Sequence, residues 1–300
     1  MRKFIIRLAL FGVIIYGLDR ICGCLGSYLV QHAKGGDTFL SNYVCNSANE
    51  EVMIFGSSRA VLHYDPNIFE DILGITCYNC GKEGNGIILM YGRYLLMSEH
   101  HVPKILLYEV TPEFDMGIKD NHTFLGGLRY YYNRDGISAI FDEVDKTEKI
   151  KMMSMCYIYN SAFPILMSDN IHPLRNADKG YRPNDIVMDY EPKRSTLTEK
   201  VFEYDTLKLS YLQKLIDECK RNGTKLYLCI SPEYKANSDT IFNPVLEMAE
   251  RNQVLVINHY CDTAFVNERN LFKDSWHMNR KGATKYSKIV AHEIKKTCSL

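Results

Sequence analysis

Three residues of this sequence have the types that nucleophilic acyl chemistry requires: Ser58, Asp274 and His277. A serine hydroxyl becomes a useful nucleophile only beside a base, and the base needs a third group to hold its tautomer. Asp274-Ser275-Trp276-His277 sets a carboxylate and an imidazole three residues apart, so one tight turn supplies both base and orienter. Ser58 lies more than two hundred residues earlier, in the stretch E-V-M-I-F-G-S-S-R from Glu51 to Arg59. An oxyanion formed on attack needs backbone amides aimed at it. The amides of Ser58 and of Gly84, within Asn79-Cys80-Gly81-Lys82-Glu83-Gly84-Asn85-Gly86, are the candidates. Arg59 and Asn85 are candidate substrate contacts, a structural ion pair being the competing use of Arg59.

An alternation of strands and helices must position these residues. Val52, Met53, Ile54 and Phe55 form an unbroken apolar run, as expected of a strand buried on both faces of a parallel sheet. Gly56 lets the chain turn, and Ser57 and Ser58 follow where a helix should begin, near the positive end of its dipole. Asp65-Pro66 reads as a cap and first helical residue, with that helix running to Leu73 before Gly74. Further strands are expected at Ile75–Asn79, Ile105–Val110, Leu226–Ser231 and Val254–Asn258. The stretch after the glycine-rich loop predicts a helix to about His101. Leu207, Tyr211, Leu212, Leu215, Ile216 and Cys219 mark one face of another, ended by Lys220, Arg221 and Gly223. A last helix spans roughly Arg280 to Lys296. The pattern predicts a flavodoxin-like three-layer α/β/α sandwich with about five parallel strands. A long segment from Glu113 to about Thr198, rich in tyrosine and turn residues, interrupts it between the third and fourth strands.

The chain has 300 residues, ample for one large core, and its 36 basic and 36 acidic residues balance. Nothing in that balance suggests a nucleic-acid partner. Arg2, Lys3 and Arg7 precede the apolar run Leu8–Leu18, and Asp19-Arg20 follows it. Residues 1–30 therefore read as an uncleaved signal-anchor with the basic end in the cytoplasm and the body outside it. An amphipathic or buried first helix is the competing reading, and acylation at Cys24 is disfavoured by Asp19 and Arg20. Ten cysteines are many for an exported chain. Cys77 and Cys229 fall in expected strands and Cys219 on an apolar helix face, so these read as small core residues. Cys77 and Cys80 form a lone pair whose spacing on a strand points them to opposite faces. His100 and His101 end a helix, where imidazole meets the dipole favourably, and His63, His172 and His259 lack paired ligand spacing, so neither metal nor cofactor is expected. Tyr130, Tyr131, Tyr132, Tyr157 and Tyr159 read first as the core of a small helical cap and second as sugar-stacking rings.

Taken together, the blocks Phe55-Gly56-Ser57-Ser58, Asn79 to Gly84, and Asp274 to Gly282 resemble the SGNH, or GDSL-like, hydrolase superfamily over roughly Glu51 to the C-terminus. The resemblance implies Ser58 as nucleophile, with Ser57 where the family usually has aspartate, and Asp274 and His277 completing the triad. It also implies a second-block glycine amide, here Gly84, at the oxyanion. The G-S-S variant and the N-terminal anchor are similar to a branch acting in bacterial surface-polymer modification. The implied activity is that of an esterase or O-acyltransferase acting on acyl, chiefly acetyl, esters of a carbohydrate or cell-surface polymer. One block departs. Where the family has Gly-x-Asn-Asp after the third strand, this chain has Tyr108-Glu109-Val110-Thr111-Pro112-Glu113-Phe114-Asp115, without asparagine. Thr111 or a residue of the insertion is left to take that place, and the missing donor keeps open a catalytically weak binding or assembly role.

Overall fold

A computed structural model describes residues 1–173, 179–192 and 202–298. Two helices come first, α1 (Arg2–Gln31) and α2 (Gly36–Asn46). The alternating part follows as β1 (Val52–Gly56), α3 (Ser58–His63), α4 (Pro66–Leu73), β2 (Cys77–Asn79), α5 (Ile87–Ser98) and β3 (Ile105–Glu109). Between β3 and the next strand lie α6 (Pro112–Asp115), a 3-10 segment (Asn121–Tyr131), α7 (Ile137–Val144), α8 (Glu148–Lys151), α9 (Met155–Ile158), α10 (Phe163–Ile171) and α11 (Thr206–Asn222). The chain closes with β4 (Lys225–Ile230), α12 (Asn243–Asn252), β5 (Leu255–Asn258) and α13 (Arg280–Thr297).

The five strands form one sheet in the order β2-β1-β3-β4-β5, every pair parallel. That is the doubly wound order of flavodoxin-like folds, whose strand order reverses between β1 and β3. β1, β3 and β4 are buried on both faces, which is why they read as continuous apolar runs, while the edge strand β5 is partly exposed. Val52, Ile54, Ile105 and Leu107 point to one face, where Tyr286, Val290 and Ile294 of α13 and Phe69 of α4 cover them. Met53, Phe55, Leu106 and Tyr108 point to the other, against α5 and α11. Cys77 and Cys229 are buried on the first face and Cys219 on the second, as small core residues. Expected caps are in place: the Asp65 carboxylate accepts from Asn67 N, and Gly74 and Gly223 end α4 and α11 in the left-handed conformation.

The segment after β3 joins the main core. Phe124, Leu128, Ile140 and Phe141 belong to the same cluster as α5 and α11. Tyr131 and Tyr159 are buried there, while Tyr130, Tyr132 and Tyr157 pack half-buried against it. The expected end of the insertion at Thr198 lies outside the described residues. α1 is a 30-residue helix long and apolar enough to cross a membrane, a property that anchors and secretory signals share. Its apolar side chains from Phe4 to Leu18 are exposed.

Candidate active site

Ser57 and Ser58 stand at the carboxyl end of β1, beside the strand-order reversal, where open α/β sheets form their crevice. Gly56 makes that turn sterically feasible. Its φ is +141°, and a Cβ there would lie 2.7 Å from the Glu109 carbonyl oxygen. The two serines then diverge. Ser57 is fully buried with its hydroxyl 2.7 Å from the Thr111 hydroxyl. Ser58, the first residue of α3, faces the cleft, and its Oγ lies 2.7 Å from His277 Nε2.

His277 is held from behind by Asp274, whose Oδ1 and Oδ2 lie 2.9 and 3.0 Å from its Nδ1. The same carboxylate accepts from the backbone amides of Trp276 and His277, both at 2.9 Å, which locks the D-S-W-H turn. Burial disfavours the charged carboxylate, but the His277 hydrogen bond and these amides outweigh it and hold Asp274 below its ordinary range. Nδ1–H therefore donates to Asp274, and Nε2 is left to accept from Ser58. The turn is fixed to α13 by Asn279, which accepts from Gly282 N and donates to the carbonyls of Asn270 and Phe272.

Beneath the triad runs a second, fully buried set of polar groups. Met278 N–H donates to His63 Nε2 at 2.9 Å, so His63 is neutral with its proton on Nδ1. That proton faces Ser231 Oγ at 2.8 Å, and Ser231 donates onward to Glu109. Burial first, then the positive charge of Arg59, pushes the His63 pKa well below its usual range. Glu109, on the α13-covered face of β3, also accepts from Tyr64 and from Ser231 N. Burial raises its pKa to about 7, against the pull of nearby Arg59. Asp115 is likewise raised by burial, to about 6, while accepting from Tyr108, Thr111 N and Ile87 N. Asp115 thus ties the end of β3 to the start of α5.

The cleft beside Ser58 has a volume of about 240 Å³ and is walled by Thr111, Pro112, Glu113, Phe114 and Trp276 along with Ser58 and His277. Trp276 is 49% exposed. Arg59 and Glu233 also border the cleft, but they are spent on each other in a buried ion pair, with Arg59 Nη1 donating to the Ser231 carbonyl. Arg59 is therefore not a free cation for substrate.

The structure thus brings Ser58, Asp274, His277 and Thr111 together and leaves two candidates out. Gly84 sits at an exposed loop tip with φ +69°, outside the cleft wall. Asn85 is also outside it, its side chain donating to the Glu83 carbonyl. The reason is local. Cys80 N and Lys82 N bond to the carbonyls of Ile54 and Gly56, so the loop clasps β1 through Cys80–Lys82 and its glycine tip turns outward. Asn79 serves structure, donating to the carbonyls of Ala60 and Tyr64 and accepting from Gly81 N. His63, Glu109, Ser231, Glu233 and Trp276 were not singled out by sequence reasoning as parts of the site. Glu109 carried a signal, a carboxylate inside the apolar run I-L-L-Y-E-V. Among the described residues, one group has the reach of metal ligands: His122, Asp145 and Glu148, none of which lines this cleft. There the Lys151 ammonium already lies 2.8 Å from Glu148 and 3.5 Å from Asp145.

No family model matches the chain, and no curated protein is significantly similar to it. Solved structures that align with the chain include a protein assigned to the G-D-S-L lipolytic family from Desulfitobacterium hafniense, at 10% identity and a TM-score of 0.40, covering 80% of this chain and 97% of its own. A variant of an acetyl-xylooligosaccharide esterase from Geobacillus Stearmophilus aligns at 11% identity and a TM-score of 0.41, over 82% of this chain and 94% of its own. A protein assigned as a GDSL-like lipase from Parabacteroides merdae gives 12% identity and 0.39, over 83% and 98%.

Proposed function

We propose that this chain is an SGNH-type serine esterase or O-acyltransferase that acts on acyl esters of a carbohydrate, held at a membrane by α1 with its body outside the cytoplasm. The observation that carries the reading is the continuous relay from Ser58 Oγ through His277 Nε2 and Nδ1 to Asp274. In the first half-reaction Ser58 attacks the ester carbon while His277 takes the hydroxyl proton. The negative charge that develops on the carbonyl oxygen is met by the Ser58 amide, which as a first-turn helix donor has no intrahelical acceptor. His277, now cationic beside Asp274, returns the proton to the leaving alcohol, and the acyl group stays on Ser58. Water or a sugar hydroxyl then takes the acyl group by the reverse sequence, with His277 as base.

Two features favour a small acyl group on a sugar. The cleft of about 240 Å³ is modest beside typical ligand sites, which run from about 300 to 1,000 Å³. Trp276, half exposed next to His277, offers a flat aromatic face for the apolar side of a pyranose ring. The test is turnover of acetylated oligosaccharides by the purified full-length chain, with products identified by mass spectrometry. Release of acetate marks an esterase, and acetyl transfer to a second oligosaccharide marks a transferase. Either activity must vanish in Ser58→Ala. Activity that survives in Ser58→Ala, or its absence from the wild-type chain on every acyl ester offered, contradicts the proposal and leaves the binding role.

A further inference from the structure

The contacts along α1 run in register with the chain that follows α7. Arg20 donates to the Met153 carbonyl at 2.8 Å. Asp19 accepts from Ser154 Oγ and from the amides of Met155 and Cys156 at 2.8 to 3.1 Å. One turn further, Gly23 is pressed against Met155, where an added Cβ would meet the side chain at 2.6 Å. Gly26 then faces Tyr159, and the Leu29 carbonyl accepts from Asn170. The body therefore clasps α1 from Asp19 onward, and Met153, two residues past α8, sits at the level where the helix leaves it.

That level is set by length. Between Arg7 and Asp19 the apolar run Leu8–Leu18 makes roughly 16 Å of helix. A hydrocarbon core is about 30 Å thick and takes about 20 helical residues to cross. Counted from Phe4, such a span ends near Gly23, which draws the Asp19–Arg20 level to the edge of the hydrocarbon, about 5–6 Å inside its boundary. The Asp19 carboxylate there is satisfied by body donors, as a charge lacking bulk water must be, and Arg20 pairs with Asp19 and with the Met153 carbonyl. Met153, at that level, is 74% exposed, and Ile150, whose carbonyl accepts from Met153 N, is 72% exposed, although both are apolar. Lys146 and Lys149 flank them and are exposed.

We propose that the turn from Lys146 to Met153 seats in the phospholipid headgroup layer beside α1. Ile150 and Met153 enter the acyl boundary, and Lys146 and Lys149 meet lipid phosphates. The body then rests on the bilayer at a fixed tilt rather than swinging from a tether. This inference rests on the reading of α1 as a membrane anchor.

The test uses the full chain reconstituted into vesicles of phosphatidylcholine and phosphatidylglycerol, with the photo-crosslinker p-benzoylphenylalanine placed separately at Ile14, Met153 or Leu255. Leu255 is the comparison because it is 40% exposed on the edge strand β5. Mass spectrometry after illumination should find lipid adducts at positions 14 and 153, at least fivefold above position 255. Lipid adducts at 14 with only background at 153 overturn the docking proposal and leave the anchor standing. Background at 14 as well removes the anchor reading and the proposal with it. Crosslinks from 153 to a second copy of the chain, in place of lipid, also overturn it.

Discussion

The ion pair of Arg59 with Glu233 gives the most quantitative handle on the site. The two side chains are 3% and 4% exposed, so solvent screens neither charge. Burial works against the charged guanidinium, yet Glu233 and then Glu109 hold Arg59 above its ordinary pKa. Removing one partner of such a pair leaves an uncompensated buried charge, at a cost of about 3–5 kcal/mol. Replacing both with apolar residues of similar volume is often near neutral. Arg59→Met should therefore destabilise strongly. Glu233→Met should fall at the lower end when measured at pH 8, where Glu109 is ionised and still faces the guanidinium. At roughly 2–4 °C per kcal/mol for a domain of this size, each single variant should lower Tm by about 6–20 °C. The double variant should recover part of that loss, with a coupling of at least about 2 kcal/mol. Circular dichroism melts of all four proteins read the cycle. Strictly additive losses, or single variants each within about 1 kcal/mol of wild type as for exposed pairs, would refute the reasoning.

Two further predictions concern the buried groups behind the triad. His63→Ala leaves the Met278 amide without its acceptor one residue from His277. At about 1–3 kcal/mol for an unsatisfied buried amide, kcat should fall about 5- to 150-fold with KM little changed. His63→Gln, which can still accept, should restore part of the loss, and unchanged kcat in His63→Ala would remove His63 from the positioning role. Glu109 sets a pH dependence of stability. Burial raises its pKa from the ordinary 4.5 to about 7. The folded state thus holds a proton that the unfolded chain has lost, and stability contributed by this group falls as pH rises from about 4.5 to 7. At ~1.4 kcal/mol per pKa unit the full penalty is about 3 kcal/mol above pH 7. Glu109→Gln should flatten that window in urea titrations, and an unaltered pH profile would show that Glu109 is already ionised at low pH.

The fold was readable because the central strands are buried on both faces, so V-M-I-F and I-L-L-Y stand out without any alternation to decode. The cap at Asp65 and the stops at Gly74 and Gly223 were written in the residues themselves, while the cap at Asp205 and the helices α2 and α12 emerge only in the structure. The hydrophobic pattern marked the strands but not their order, because pairing between parallel strands leaves no local mark. At the site, side-chain chemistry named Ser58, Asp274 and His277, while a loop's orientation has no such signature. Gly84 is glycine because the left-handed tip demands it, and that need looks the same in sequence as a glycine beside an oxyanion. Arg59 was open between substrate and ion pair, since its partner Glu233 lies 174 residues away. His63 and Ser231 were invisible for the same reason: their partners meet only when β3, β4 and the last turn converge.

The central claim is that Ser58, and not its neighbour, is activated by His277. Covalent labelling of the full-length chain by a fluorophosphonate probe tests it most directly, because an ordinary serine is too weak a nucleophile to react. Ser58→Ala and His277→Ala should abolish labelling, and Asp274→Asn should leave a residue of it, since the geometry survives while the tautomer is lost. Ser57→Ala should still label, because Ser57 is buried against Thr111. Labelling that persists in Ser58→Ala, or a folded wild-type chain that never labels, would contradict the account.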